Sequence, residues 1–279
     1  MEASLDREAY ENVVRRALRY ILDGHAYQLT LSIRYGARGR ADPLDLVRRL
    51  FLRHPAAHYA LFHTDSKAVI SASPERFLRV RDGDILSQPI KGTARVPQGG
   101  DPHRMAERLM ASDKESAELS MIVDLVRNDV SANADYGTVK VRGHKNVFLV
   151  DDLLQMRSDV TARLRSDRTA LHLLHDAFPG GSVTGCPKRR AMEIMEELEP
   201  HTRGVYCGTL FMAFGPRDLD SSIAIRTAVL DQASGDFTFH AGSGIVVDSD
   251  PSREFEETTA KADKFLNLVE RGGFGEGTP

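Results

Sequence analysis

Two cysteines, a near-balanced charge and the lack of any long apolar run remove several classes of protein at once. Cys186 and Cys207 are the only cysteines among 279 residues, too few for a disulfide framework or a cysteine-based zinc site, and as small buried hydrophobes they fit a reducing compartment. Lys plus Arg total 37 against 40 for Asp plus Glu, a net charge of -3, so no overall basic field exists to hold a polyanion and no nucleic-acid partner is expected. The longest apolar runs, such as the one in GTLFMAFG, fall far short of a membrane span, and the acidic, polar start MEASLDREAY is no signal peptide. The expectation is a cytoplasmic protein with no membrane partner. Internal repeats, low-complexity tracts and internal Pro/Gly/Ser linkers are also missing. One intertwined domain over residues 1–270 is expected, with a disordered tail at 271–279 that contains GGFGEGTP.

What is present is ordinary for a globular chain: 41% hydrophobic and 28% charged residues, enough to bury a core. Val13, Val14, Ala17, Leu18 and Ile21 keep helical spacing between Arg7 and Leu22, and Gly24 closes that helix. YQLTLSIRY alternates as a strand, a short helix starts after Asp42-Pro43, and HYALFH, KAVISAS, RFLRVR and DILSQ read as strands, the last two around an Asp82-Gly83 turn. Residues 101–129 read as helical, with a Ser112 to Glu115 capping box, and GTVKV, NVFLV and LLQMRSDVTARL read as strands. Helices over Thr169–Phe178 and Pro187–Leu198 precede the strands YCGTLFMAF, SSIAIRTAVL and DFTFHAGSGIVV and a last helix from Ser252 to about Glu270. Strands and helices come in blocks rather than in βαβ alternation, which predicts an α+β fold.

Several residues then stand out chemically. Lys91 lies in SQPIKGTARV, a strand ending in a tight turn, where it is either a solvated cation or a nucleophilic amine whose pKa needs desolvation to fall. Glu75, in SASPERF, follows Pro74 at the start of a strand, sixteen residues before Lys91. Glu115 with Glu118, and Glu254 with Glu257, are i, i+3 pairs that put both carboxylates on one helix face and can hold Mg²⁺. Glu193, Glu196 and Glu199 share that spacing, which is also that of an ordinary solvated face. AGSGIV at 241–246 suits a backbone that approaches an anion, or a bulge. GGSVTGCPK at 180–188 has the glycines of a phosphate loop without its GxxxxGK[ST] order. No Ser/His/Asp or Cys/His arrangement and no HxxxH-type pair is readable.

Together these stretches resemble the chorismate-utilising enzymes, which include anthranilate, aminodeoxychorismate, isochorismate and salicylate synthases. From about Tyr10 to Leu268 the motifs YQLTLS, SPERF, PIKGT, AELSMIVDLVRND, GGSVTGCPKRRAMEIMEELEP, GTL, IAIRT, AGSGIV and EFEETTAKA occur in family order. The resemblance covers the catalytic core and not the family's first subdomain. It implies a β-sandwich of two packed sheets surrounded by helices, a Mg²⁺ shell of Glu115, Glu118, Glu254 and Glu257, and Glu75 as the general acid for the C4 hydroxyl of chorismate. It assigns substrate binding to Gln28, Thr93, Tyr206, Arg226, Gly242, Ser243, Gly244 and Lys261. Relatives that add water carry a lysine where this chain has Gln28, so the ammonia-using branch is implied, with ammonia from a separate glutaminase subunit. Anthranilate synthases show alanine at the position of Lys91 and a histidine at that of Gln155; aminodeoxychorismate synthases show PIKGT. The implied reaction is Mg²⁺-dependent amination of chorismate to 4-amino-4-deoxychorismate through a lysine adduct at C2. The alternatives are amination at C2, as in an anthranilate or 2-amino-2-deoxyisochorismate synthase, and a non-catalytic chorismate-binding module.

Overall fold

The computed structural model describes residues 1–97, 99–150 and 153–268; the expected disordered tail lies outside them. In chain order the first elements are β1 (Glu2–Ala3), α1 (Arg7–Leu22), β2 (Gln28–Arg38), α2 (Pro43–Arg53), β3 (His58–His63) and β4 (Lys67–Ser73). They are followed by β5 (Arg76–Arg81), β6 (Asp84–Ser87), β7 (Ile90–Arg95), α3 (Pro102–Met110), α4 (Asp113–Ser131), β8 (Lys140–Val150), β9 (Leu153–Arg163) and α5 (Ala170–Ala177). The chain ends with β10 (Gly185–Cys186), α6 (Lys188–Leu198), β11 (Thr209–Gly215), β12 (Asp218–Ile223), β13 (Thr227–Asp231), β14 (Asp236–Ile245) and α7 (Pro251–Leu268). The fold is α+β, and among the described residues no helix is long and apolar enough to cross a membrane.

Two compact units emerge, interleaved in sequence: Met1–Pro74, Val183–Gly208 and Ala224–Pro279 form the first, and Glu75–Ser182 with Thr209–Ile223 the second. Each holds one sheet whose recorded pairings are antiparallel. The first sheet runs β1-β2-β14-β13-β4-β3, with β10 added to β2; the second runs β11-β12-β5-β6-β9-β7, with β8 on β9.

Helix starts follow local chemistry. Asp6, Asp42, Asp101, Ser112 and Thr169 each cap a helix by accepting a backbone N–H, and Asp42 and Asp101 are each followed by a proline preset for the first turn. The helical run predicted over 101–129 is two helices, because Ala111 closes α3 on the Glu107 carbonyl while the Ser112 hydroxyl takes the Glu115 N–H. GTVKV and NVFLV merge into one strand, β8, whose register shifts between Arg142 and Asn146. SSIAIRTAVL is not one strand either. It breaks between β12 and β13, where the chain passes from the second unit to the first, and Arg226 adopts the left-handed φ of 51°. The Asp82-Gly83 turn has both residues at positive φ, 49° and 85°, as a two-residue hairpin joining β5 to β6 requires.

In the first unit, Leu29, Leu31 and Ile33 of β2 join Phe237 and Phe239 of β14 in a core covered by Tyr10 and Val14 of α1, Leu50 of α2, Ile194 of α6 and Phe265 of α7. Alternation leaves Gln28, Thr30 and Ser32 on the opposite, polar face of β2. A buried ion pair braces that strand. Arg203 donates to both carboxylate oxygens of Glu199, at 2.8 and 2.7 Å, and to the carbonyls of Thr30 and Val183, at 2.6 and 3.1 Å. Glu199 in turn accepts the Ser32 N–H and hydroxyl, each at 2.8 Å. Its side chain is 4% exposed, so this member of the 193/196/199 series is not on a solvated face. In the second unit, α4 packs Leu119, Ile122 and Val126 inward and lies against β7 and β9.

Removing one partner strands a buried charge, so Arg203→Met should destabilise the protein by about 3–5 kcal/mol, and adding Glu199→Met should recover part of that loss. Urea unfolding midpoints at constant m-value measure both; a single variant as stable as the native chain would contradict the bracing role.

Candidate active site

In the second unit the chemistry centres on Glu75. It follows the loop into β5 and is 5% exposed. Burial pushes its pKa up from 4.5 to about 7, against the opposing pull of the Ser182 hydroxyl, the Lys91 ammonium and the Ile90 N–H. A carboxyl so placed is close to half-protonated at neutral pH. Ser182 carries no signal of its own in the sequence; its role follows from the packing of the loop before it. A Cβ at Gly180 would lie 2.5 Å from Ile223, and one at Gly181 2.5 Å from Leu125, so these glycines serve close approach and not a phosphate.

Lys91 is half-buried on β7, opposite Met156 of β9. The register shifts between Lys91 and Thr93, and Gly92, at φ 78°, forms the bulge. A Cβ there would sit 3.1 Å from Glu115 Oε2, so the glycine lets α4 bring Glu115 against the lysine strand. Thr93 is exposed, and Gln155, paired across from it, is buried with no hydrogen-bond partner for Oε1. Glu118 is one turn beyond Glu115, 4.0 Å from Lys114.

In the first unit β14 pairs with β2 through Ile245↔Leu29, whereas β13 accompanies it only as far as Phe239. From His240 onward one edge of β14 therefore has no strand partner among the described residues, and backbone groups of Gly242 to Gly244 along that edge can meet a ligand. A Cβ at Gly242 would meet the Leu31 carbonyl and lie 3.0 Å from the Tyr206 hydroxyl, so only glycine permits this approach. The Tyr206 ring stacks on His240 at 5.1 Å and 11°. Burial, then the neighbouring His201, pushes the His240 pKa down to about 3, and Tyr206 is raised well above its usual value by burial. Next to Tyr206 lies Arg226, whose pKa is lowered by burial against the opposing pull of that phenol. A desolvated guanidinium with no carboxylate paired to it among the described residues favours an incoming anion.

On α7, Glu254 is buried and its Oε1 accepts the Ser249 hydroxyl at 2.7 Å. Glu257 Oε1 is 2.6 Å from Lys261 Nζ, which also donates to the Gly242 carbonyl at 3.1 Å. Lys261 thus links the helix carboxylates to the glycine edge. The Ser243 hydroxyl points the other way, onto Tyr10, whose OH also bonds Thr258; from this residue only the backbone faces a ligand. Among the described residues no three His, Cys, Asp or Glu side chains gather into a metal cluster. The donors come instead as i, i+3 carboxylate pairs, one pair in each unit. Hard oxygen donors in pairs fit Mg²⁺, which keeps waters and substrate oxygens in its shell.

A family model for chorismate binding enzyme matches residues 1–267. The chain is 41% identical over 274 residues to aminodeoxychorismate synthase component 1 of Klebsiella aerogenes, covering 96% of this chain and 59% of that protein. It is 37% identical over 269 residues to anthranilate synthase component 1 of Aquifex aeolicus, covering 96% and 54%. The crystal structure of anthranilate synthase component I from Streptococcus pneumoniae superposes with a TM-score of 0.85 at 32% identity, over 94% of this chain and 58% of that one. The chain thus spans less than two thirds of the length of these relatives, and similar identities do not separate the two aminating activities.

Glu75 sets a pH dependence of stability. Its folded pKa of about 7 lies above the ordinary 4.5, so between these values the folded chain holds a proton that the unfolded chain releases, and stability falls as pH rises through that window. The full cost, on the order of 3 kcal/mol, is reached above the folded pKa. Glu75→Gln should therefore be more stable than the native chain at about pH 8 and equal to it near pH 4. Denaturant unfolding across pH checks this; a gap that does not grow with pH would refute the burial assignment.

Proposed function

The chain belongs to the chorismate-binding enzyme family, and on that premise we propose that it replaces the C4 hydroxyl of chorismate with an amino group, forming 4-amino-4-deoxychorismate. The observation that carries this reading is the electrostatic action of Lys91 on buried Glu75, a carboxyl that titrates near neutrality. In the first step the neutral Lys91 amine attacks C2, the ring double bond shifts, and the C4 hydroxyl leaves as water with the Glu75 proton. The new secondary ammonium returns a proton to the Glu75 carboxylate. Ammonia then attacks C4, the double bond shifts back, and the Lys91 nitrogen leaves C2 with a proton drawn again from Glu75. The excess proton on the new amine passes to the Glu75 carboxylate and restores the acid, so the sum is chorismate plus ammonia giving aminodeoxychorismate plus water. Glu75 must give and take a proton twice per cycle, for which a pKa near the working pH is suited.

Arg226, the Tyr206 hydroxyl and the backbone edge at Gly242 to Gly244 hold the enolpyruvyl carboxylate, with Lys261 serving the ring carboxylate. Glu115, Glu118, Glu254 and Glu257 serve Mg²⁺, which supplies charge neutralisation for that carboxylate and fixes the substrate's pose. Thr93 contributes at the lysine strand. Gln28 is neutral and fully buried, so it supplies no base for water, which supports ammonia as the nucleophile. Amination at C2, the anthranilate-type outcome, leaves Lys91 without a task. The component numbering in the relatives' names supports ammonia delivery by a separate glutaminase.

Lys91→Ala should lose most C4-amino product, by about a hundredfold or more, in assays with chorismate, Mg²⁺ and ammonium followed by mass spectrometry and NMR; equal rates from variant and native protein would sink the covalent route. Glu257 is 54% exposed, so Glu257→Gln should leave stability within about 0.5 kcal/mol. The same variant should raise the Mg²⁺ concentration for half-activity about tenfold or more; an unchanged Mg²⁺ titration would return this carboxylate to a solvated helix face.

A further inference from the structure

On the polar face of β2, Ser32 is engaged by Glu199 and His201, but its neighbours on that face are not. Gln28 is 0% and Thr30 6% exposed, and among the described residues both Gln28 amide atoms and Thr30 Oγ1 lack any hydrogen-bond partner. Their surroundings rule out a shortage of order as the reason. The Thr30 N–H is held by the Thr184 carbonyl at 2.8 Å and the Thr30 carbonyl by Arg203 at 2.6 Å. Directly across from Thr30 stands Gly244, and across from Gln28 stands Cys186 of β10. The glycine contributes no side chain opposite the threonine. Residues two apart on one strand are about 7 Å apart, so the Gln28 amide and the Thr30 hydroxyl reach one common small volume.

Buried polar atoms without partners are the mark of a site made for a polar ligand. The chemistry of this pair is specific: one carboxamide and one hydroxyl, both neutral and each with an oxygen that can accept, with no carboxylate to bind a cation and no ammonium to bind an anion. We propose that Gln28 Oε1 and Thr30 Oγ1 form the seat of the ammonia molecule that attacks the substrate. Two of its N–H groups are accepted, and its lone pair remains free. Because the seat is buried and neither oxygen carries a formal charge, an ammonium ion would be desolvated there without a counter-charge whereas ammonia would not, and because neither is a base the seat does not activate water. Thr30 is thereby a binding residue in addition to those already assigned. This inference rests on the amination reading above but not on which carbon is aminated.

The test is steady-state kinetics of the full chain with chorismate, Mg²⁺ and ammonium chloride as the nitrogen source. Thr30→Val keeps the β-branched shape and deletes the hydroxyl; it should raise the KM for ammonium about tenfold, the loss of one good hydrogen bond, and leave the KM for chorismate within about twofold. Thr30→Ser should restore the ammonium KM to within about twofold of native. Gln28→Met, which keeps the length and removes both amide atoms, is a second route to the same selective rise should the valine variant fail to fold. An ammonium KM unmoved in the folded variants, or a chorismate KM that rises in parallel, overturns the seat. Native protein that aminates C2 instead of C4 defeats the reading of Lys91 and leaves this one standing. Native protein that yields only hydroxylated product in the presence of ammonium defeats both.

Discussion

The buried pair of Glu199 and Arg203 is the interaction on which the first unit's functional face depends. One guanidinium closes the end of α6, grips the Thr30 carbonyl of β2 and the Val183 carbonyl, and lies 5.8 Å from the Tyr206 ring. One carboxylate returns the grip through the Ser32 N–H. Both charges are desolvated, so neither can leave without stranding the other. The result is a strand whose polar face is held rigid by bonds on its backbone, while the side chains of Gln28 and Thr30 on that face stay uncommitted. Fixing backbone and sparing side chains is what preorganisation of a ligand site requires.

The second unit solves a different problem, that of keeping an acid protonated near neutrality. Glu75 is denied solvent, and the Ser182 hydroxyl, the Ile90 N–H and the Lys91 ammonium each limit how far its pKa rises. Without them burial would lock the proton on; with more of them the acid would be spent. The glycines do related work through space. Gly92 admits Glu115 to the lysine strand, as Gly180 and Gly181 admit Ile223 and Leu125 to the loop that carries Ser182. Each lacks a side chain because something else occupies that position.

Much of this was legible in the residues. The caps at Asp6, Asp42, Ser112 and Thr169 stand where the local pattern puts them, since a cap needs only the next few N–H groups. The ordered motifs identified the family before any contact was known, and the family model covers residues 1–267. Most of the failures share a cause. The break at Arg226 and the single bulged β8 are set by groups outside the local window, whereas the split of the helical run at Ala111 is itself local, at the Ser112 cap. Glu199 looked like its exposed neighbours in an i, i+3 series because spacing records a helix face and not what covers it.

By itself the sequence determined the fold class, the helix starts, the family, and the residue types from which the proposed acid, amine, metal ligands and anion site are drawn. Helix starts are matters of hydrogen bonding within a few residues, and fold class and family follow from the order of elements and motifs along the chain. Tertiary structure alone decided that the Glu75 carboxyl holds its proton to about pH 7, that Tyr206 closes on Gly242, and that Thr30 is buried without a partner while Ser32 is spent on Glu199. Protonation and hydrogen-bond satisfaction depend on which atoms exclude water from a group, and those atoms lie as many as 167 positions away, the separation of Ser32 from Glu199. No local pattern carries that information.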